Sequence, residues 1–150
     1  MFFFGGGHAD YGGNEVYQFD FDTLQWTRLS DPSALTKQDG SRYVPGEGPV
    51  SPHTYDGLTW NPVTETLWLT NTRIGFNSNL GQPNNPPENL AWEFDPGTGE
   101  WTSHETDKNF ARGSSAFLPG HNEILSLENS NRGKFNPRII DASGDADHGT

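Results

Sequence analysis

Apolar and polar residues alternate along this chain in short stretches that end in turn residues. Phe2-Phe3-Phe4 runs into Gly5-Gly6-Gly7, Val16, Tyr17 and Phe19 alternate with polar neighbours up to Asp20, and Trp26 follows six positions later. A period of two is that of a half-buried strand, and glycine ends a strand where the chain must turn through angles that a side chain obstructs. The pattern predicts strands over 2–6, 15–20 and 25–29, then 53–60, 66–70, 89–95 and 100–103, then 114–118, 123–127 and 137–141. The wording also recurs: Leu90-Ala91-Trp92-Glu93-Phe94-Asp95 is followed by Trp101, with the Phe-Asp pair and the Asp-to-Trp spacing of Asp20 and Trp26 preserved.

Composition supports this reading. Eighteen glycines and eleven prolines interrupt any long helix, and five tryptophans, ten phenylalanines and four tyrosines furnish a core poor in aliphatic residues. The expected fold class is all-β, a single segment over 1–150 with units at about 2–30, 51–104 and 112–141 and an acidic tail at 142–150. A formal charge of −11 repels a phosphate backbone, so nucleic acid is not an expected partner. The absence of cysteine excludes disulfides and thiolate metal sites. These residues hold neither a basic leader with an apolar stretch nor a membrane span, so membrane insertion is not expected and the compartment is left open.

Gly5-Gly6 closing a strand, an aromatic strand ending in Asp20 or Asp95, and then Trp26 or Trp101 together resemble kelch repeats, whose units form the blades of a β-propeller. With blade strands lettered a to d from the axis outward, the resemblance implies b, c and d in the first unit, all four in the second, and a, b and c in the third. That makes about two and a half to three four-stranded antiparallel blades, incomplete as a single chain because propellers have about four to eight. It also implies that Trp26 and Trp101 pack between blades and that Gly5, Gly6, Asp20 and Asp95 serve structure. The wording of residues 5–17 is similar to that of bacterial and bacteriophage kelch-like proteins, which implies a virion or extracellular setting.

Adjacent strands run in opposite directions, so connections b–c and d–a leave one end of a blade and a–b and c–d the other. The latter are short and written in turn residues, at 21–24, 61–65, 96–99 and 119–122. The former are long, at 7–14, 30–52, 71–88, 104–113 and 128–136. Insertions on one face of a repeat array mark a binding face. Its candidate binding residues are His8, Asp10, Tyr11 and Asn14 in the first loop and Arg73 and Phe76 in the second, Arg and exposed aromatics being the types enriched at interface hot spots. The alternative for the first group is a loop that ties down its own backbone through side-chain hydrogen bonds.

No catalytic constellation emerges. Galactose oxidase, also a kelch propeller, needs a cross-linked cysteine that this chain lacks, and neither a nucleophile elbow nor an H-E-x-x-H helix is present. Asp145 and Asp147 have a calcium-loop spacing without the glycine and glutamate that such a loop requires. The expectation is a non-enzymatic module without cofactor or metal, presenting its long-loop face to a protein or glycan and working within a homo-oligomer or larger assembly. The alternative is a fragment of a larger secreted carbohydrate-active protein whose catalytic residues lie elsewhere.

Overall fold

A computed structural model describes residues 1–5, 13–33, 35–38, 42–45, 48–49, 51, 56–70, 90–106, 113–130 and 134–142, with only the backbone described at 35–38, 42–45, 128–130 and 134–136. Among these the fold is all-β. Three blade-like antiparallel sheets follow one another: β1 (Phe2–Phe3), β2 (Tyr17–Asp20) and β3 (Gln25–Arg28); then β6 (Leu58–Asn61), β7 (Thr66–Leu69), β8 (Leu90–Asp95) and β9 (Glu100–Glu105); then β10 (Gly113–Leu118), β11 (Glu123–Ser130) and β12 (Lys134–Asp141). Each pairs in chain order. A separate hairpin, β4 (Leu35–Gln38) with β5 (Arg42–Pro45), lies between the first and second sheets in sequence.

Two apolar layers hold the sheets together. Phe4 and Val16 of the first sheet region pack with Leu67, Leu69 and Phe94 of the second, while Trp68 and Ala91 on the opposite face of the second pack with Ile124, Ile140 and Ala142 of the third. This explains why Thr66-Leu67-Trp68-Leu69 is apolar without strict alternation: both of its faces are covered, and all four residues are buried. Side chains also join the second and third sheets. Asn61 Nδ2 donates to Asn122 Oδ1 at 2.9 Å, Thr59 and Ser115 share a hydroxyl hydrogen bond, and Ser126 Oγ donates to Thr70 Oγ1 at 3.5 Å.

The tight turns repeat one device. Asp20 Oδ1 accepts from the Asp22 and Thr23 amides at 2.8 and 2.9 Å, Asp95 Oδ1 from the Gly97 amide at 2.7 Å, and Asn61 Oδ1 from the Val63 amide at 2.9 Å. The carboxylate or amide thus mimics a backbone turn. The chain then passes through the left-handed region at Leu24 (φ 56°), Gly99 (φ 77°) and Glu65 (φ 57°) before the next strand starts. Asp20 and Asp95 therefore owe their repetition to turn geometry.

Several expectations need correction. The connection expected at 128–136 is mostly strand, since β11 and β12 stay paired out to Ser130↔Lys134 and only 131–133 separate them. Backbone pairing does not require the apolar alternation that ends at Leu127, so polar residues extended the hairpin. The stretch 30–52, expected as a connection, holds the β4–β5 hairpin. β1 ends at Phe3, short of Gly6, and β9 continues to Glu105. Trp26 lies outside the core of the chain, 55% exposed.

Candidate functional site

Of the expected binding residues, His8, Asp10, Tyr11, Arg73 and Phe76 lie outside the described residues, as does the turn glycine Gly6. Gly5 is described and follows β1 with φ 81°, a conformation that glycine adopts without strain.

Asn14 is buried, and both ends of its amide are engaged: Nδ2 donates to Ser33 Oγ and Oδ1 accepts from the Ser33 amide, each at 2.8 Å. It ties the connection leading into β2 to the segment that leaves β3. Ser30 Oγ reinforces the same junction by accepting from the Val16 amide at 3.0 Å. In this arrangement Asn14 shapes the end of the sheet.

Trp101 marks where that segment returns. Its ring stands 4.8 Å from Phe4 and 5.0 Å from Phe94, both tilted, and a Cβ placed on Gly48 would come within 2.7 Å of its Cδ1. Gly48 (φ 112°) lets the backbone lie directly against the indole. Trp26 makes the same cross-strand pair with Phe19, 4.9 Å away, and meets Phe3 at 4.7 Å. Among the described residues nothing from another sheet covers it.

One polar cluster lies within the second sheet. His104 Nε2 is 2.9 Å from Glu93 Oε2, and the imidazole stacks on buried Trp68 with centroids 4.6 Å apart and planes at 24°. The two sit diagonally across β8 and β9, because Ala91 is opposite His104 and Thr102 opposite Glu93. Burial alone would raise the Glu93 carboxyl, but hydrogen bonds from His104 and Thr66 outweigh it and hold the group below its ordinary value. The hydrogen-bond partner of the Glu93 carboxylate across the strands is His104. Strand register is the signal that locates the pair, and the sequence does not carry it. The pair can hold a proton and fix two strands, and no group of three or more His, Asp or Glu side chains able to hold a metal occurs among the described residues.

An open apolar groove of about 380 Å³ is lined by Met1, Phe2, Leu58, Trp60 and Leu67. It runs along the free edge of β1, where Phe2 stacks on Trp60 with centroids 5.0 Å apart and planes at 18°. No protein-family model and no curated protein matches the chain.

Proposed function

We propose that this chain is a non-catalytic binding and assembly module of the kelch-type β-propeller kind, which engages a protein or glycan through the end of its sheets that carries the long connections. The observation that carries the reading is the difference between the two ends. At one, consecutive strands of a sheet are joined by four-residue turns at 21–24, 62–65, 96–99 and 119–122. At the other, 13 residues separate β1 from β2 and 20 separate β7 from β8, while the third sheet has only 131–133 between β11 and β12, so the long connections belong to the first two sheets. Long connections on a rigid sheet are where variable recognition residues accumulate, while tight turns leave little room for them. The kelch assignment is supported by Phe19–Trp26 and Phe94–Trp101, the two copies of the repeated wording, which occupy the same cross-strand position in their sheets.

A glycan array and a proteome-scale interaction screen with the full chain would identify the ligand. Alanine at Tyr11, Arg73 or Phe76 is expected to weaken the strongest hit at least about tenfold, a loss of about 1.4 kcal/mol. Val63→Ala and Thr98→Ala at the tight-turn end are expected to leave it unchanged. Binding lost only in the second pair would overturn the reading.

A further inference from the structure

The three sheets are stacked by repeating one interface, and among the described residues no further sheet covers the outer face of the first or of the third. In the second sheet Leu67, Phe94 and Trp101 lie side by side across β7, β8 and β9. In the first sheet Met1, Phe19 and Trp26 are their equivalents: Met1 exchanges backbone hydrogen bonds with Phe19 at 2.8 and 2.9 Å, and Phe19 is opposite Trp26. Two residue pairs further along, on the same face, Phe3 opposite Tyr17 matches Leu69 opposite Trp92.

The environments differ completely. Leu67, Leu69 and Phe94 are 0–2% exposed because Phe4 and Val16 of the first sheet region cover them. Met1 and Phe3, equivalent to Leu67 and Leu69, are 50% and 40% exposed; Phe19 is half-buried where Phe94 is fully buried, and Trp26 is 55% exposed where Trp101 is half-buried. The first sheet therefore carries, uncovered, the surface that the second sheet buries. An exposed cluster of large apolar groups of this kind marks an interaction site.

The opposite end supplies a matching surface. Phe2, Phe4 and Val16 are the groups that the first sheet turns toward the second, and Trp68 and Ala91 are the groups that the second turns toward the third. Applying the same register to the third sheet gives Leu125, Leu127, Pro137 and Ile139, with Leu125 opposite Ile139 and Leu127 opposite Pro137. They alternate with Ile124 and Ile140, which face the second sheet, and so point away from it. Leu125, Leu127 and Ile139 are half-buried and Pro137 is exposed.

We infer that the Met1–Phe3–Phe19–Trp26 face of the first sheet docks onto the Leu125–Leu127–Ile139 face of the third sheet in a second copy of this chain. The partner is a second copy because the two open faces are the two halves of an interface that the chain already makes twice within itself, so the stack continues without a new kind of contact. Such a contact is heterologous and closes when each copy's first sheet sits on the other's third, giving six sheets, within the range of four to eight for closed arrays of this type. The inference deepens the assembly half of the proposed function. Ligand binding at the long-connection end is read by different variants, so either can fail without the other.

The test is native mass spectrometry with sedimentation velocity on the full chain at micromolar concentration. The wild type is expected at twice the 16.6 kDa chain mass. Trp26→Lys and Leu127→Lys are each expected at the single-chain mass with an unchanged far-ultraviolet circular dichroism spectrum. Mixed together they should recover the double mass, because one intact interface remains between unlike variants. Trp26→Ala, a milder change that keeps the sheet should the lysine variant fail to fold, is expected to raise the dissociation constant at least about tenfold. A monomeric wild type overturns the inference. So does a dimer that Trp26→Lys breaks and Leu127→Lys does not, since that result assigns a first-sheet to first-sheet contact.

Discussion

Phe4 sits 4.8 Å from Trp101, ring centroid to ring centroid, and this contact joins the first sheet region to the second. Phe94 flanks the same indole at 5.0 Å, so Trp101 is held by an aromatic from its own sheet and one from the neighbouring sheet region. Tilted aromatic pairs of this kind contribute about 0.5–1.5 kcal/mol beyond the area they bury. Phe4→Ala and Trp101→Ala are each expected to cost about 3 kcal/mol or more in urea unfolding. The double variant should fall short of the sum by about 0.5–1.5 kcal/mol, since the shared contact is lost only once. Additive losses would show that the two rings are energetically independent.

Trp26 tests the difference between a repeated motif and a repeated environment. In protein dilute enough to be monomeric, Trp26→Ala is expected to cost under about 1 kcal/mol, because its ring is more than half exposed. The same substitution measured at high concentration should cost more, by the association energy that it removes. Equal losses at both concentrations would contradict this account of Trp26.

Two glycines with the same backbone hand separate strain from crowding. Gly120 (φ 89°) has open space where a Cβ would stand, whereas at Gly99 (φ 77°) a Cβ would lie 2.7 Å from the carbonyl oxygen of Leu29, just past β3. Gly120→Ala is expected to cost about 1 kcal/mol from the left-handed conformation alone. Gly99→Ala should cost about 1–3 kcal/mol more, because backbone at Leu29 must move. Thermal unfolding of the two variants side by side gives the comparison.

The buried Asn61 amide links a turn to the third sheet, with Nδ2 donating to Asn122 Oδ1 and Oδ1 accepting from the Val63 amide. Asn61→Ala removes partners from both and is expected to cost about 1–3 kcal/mol. Asn122→Gly should cost less than Asn61→Ala, because it removes one of these bonds, leaves the turn at 61–63 intact and keeps a residue suited to the left-handed φ of 51° there.

Acid should loosen the second sheet through Glu93. Its folded-state carboxyl titrates below the ordinary value of 4.5, so the unfolded chain takes up the proton at higher pH than the native one. The stabilisation is complete above that ordinary value and is lost as pH falls through the folded-state value. Glu93→Gln is therefore expected to flatten the acid limb of the melting temperature against pH. An unchanged acid limb would show that the His104 contact leaves the carboxyl unperturbed.

Local chemistry is enough to locate the strands and their turns. The alternation around Phe19, the repeated Phe-Asp, and the Asn and Asp residues at 61, 20 and 95 report backbone periodicity and turn hydrogen bonds, which depend on residues a few positions apart. The strands therefore came out in the expected order, and the deviations fell where pairing continued through polar residues or where a hairpin lay inside a presumed loop. What lies across a face is a different matter. Trp26 and Trp101 have the same local wording and the same cross-strand partner type, yet only Trp101 meets another sheet region. Asn14 meets Ser33, 19 residues away, a contact that its local wording does not encode. Glu93 found His104 through strand register, and no spacing in the sequence encodes that register. A period of two assigns each side chain to a side of its strand. Burial, pairing and proton affinity depend on the sheet or segment that comes to rest there, and only the tertiary structure supplies it.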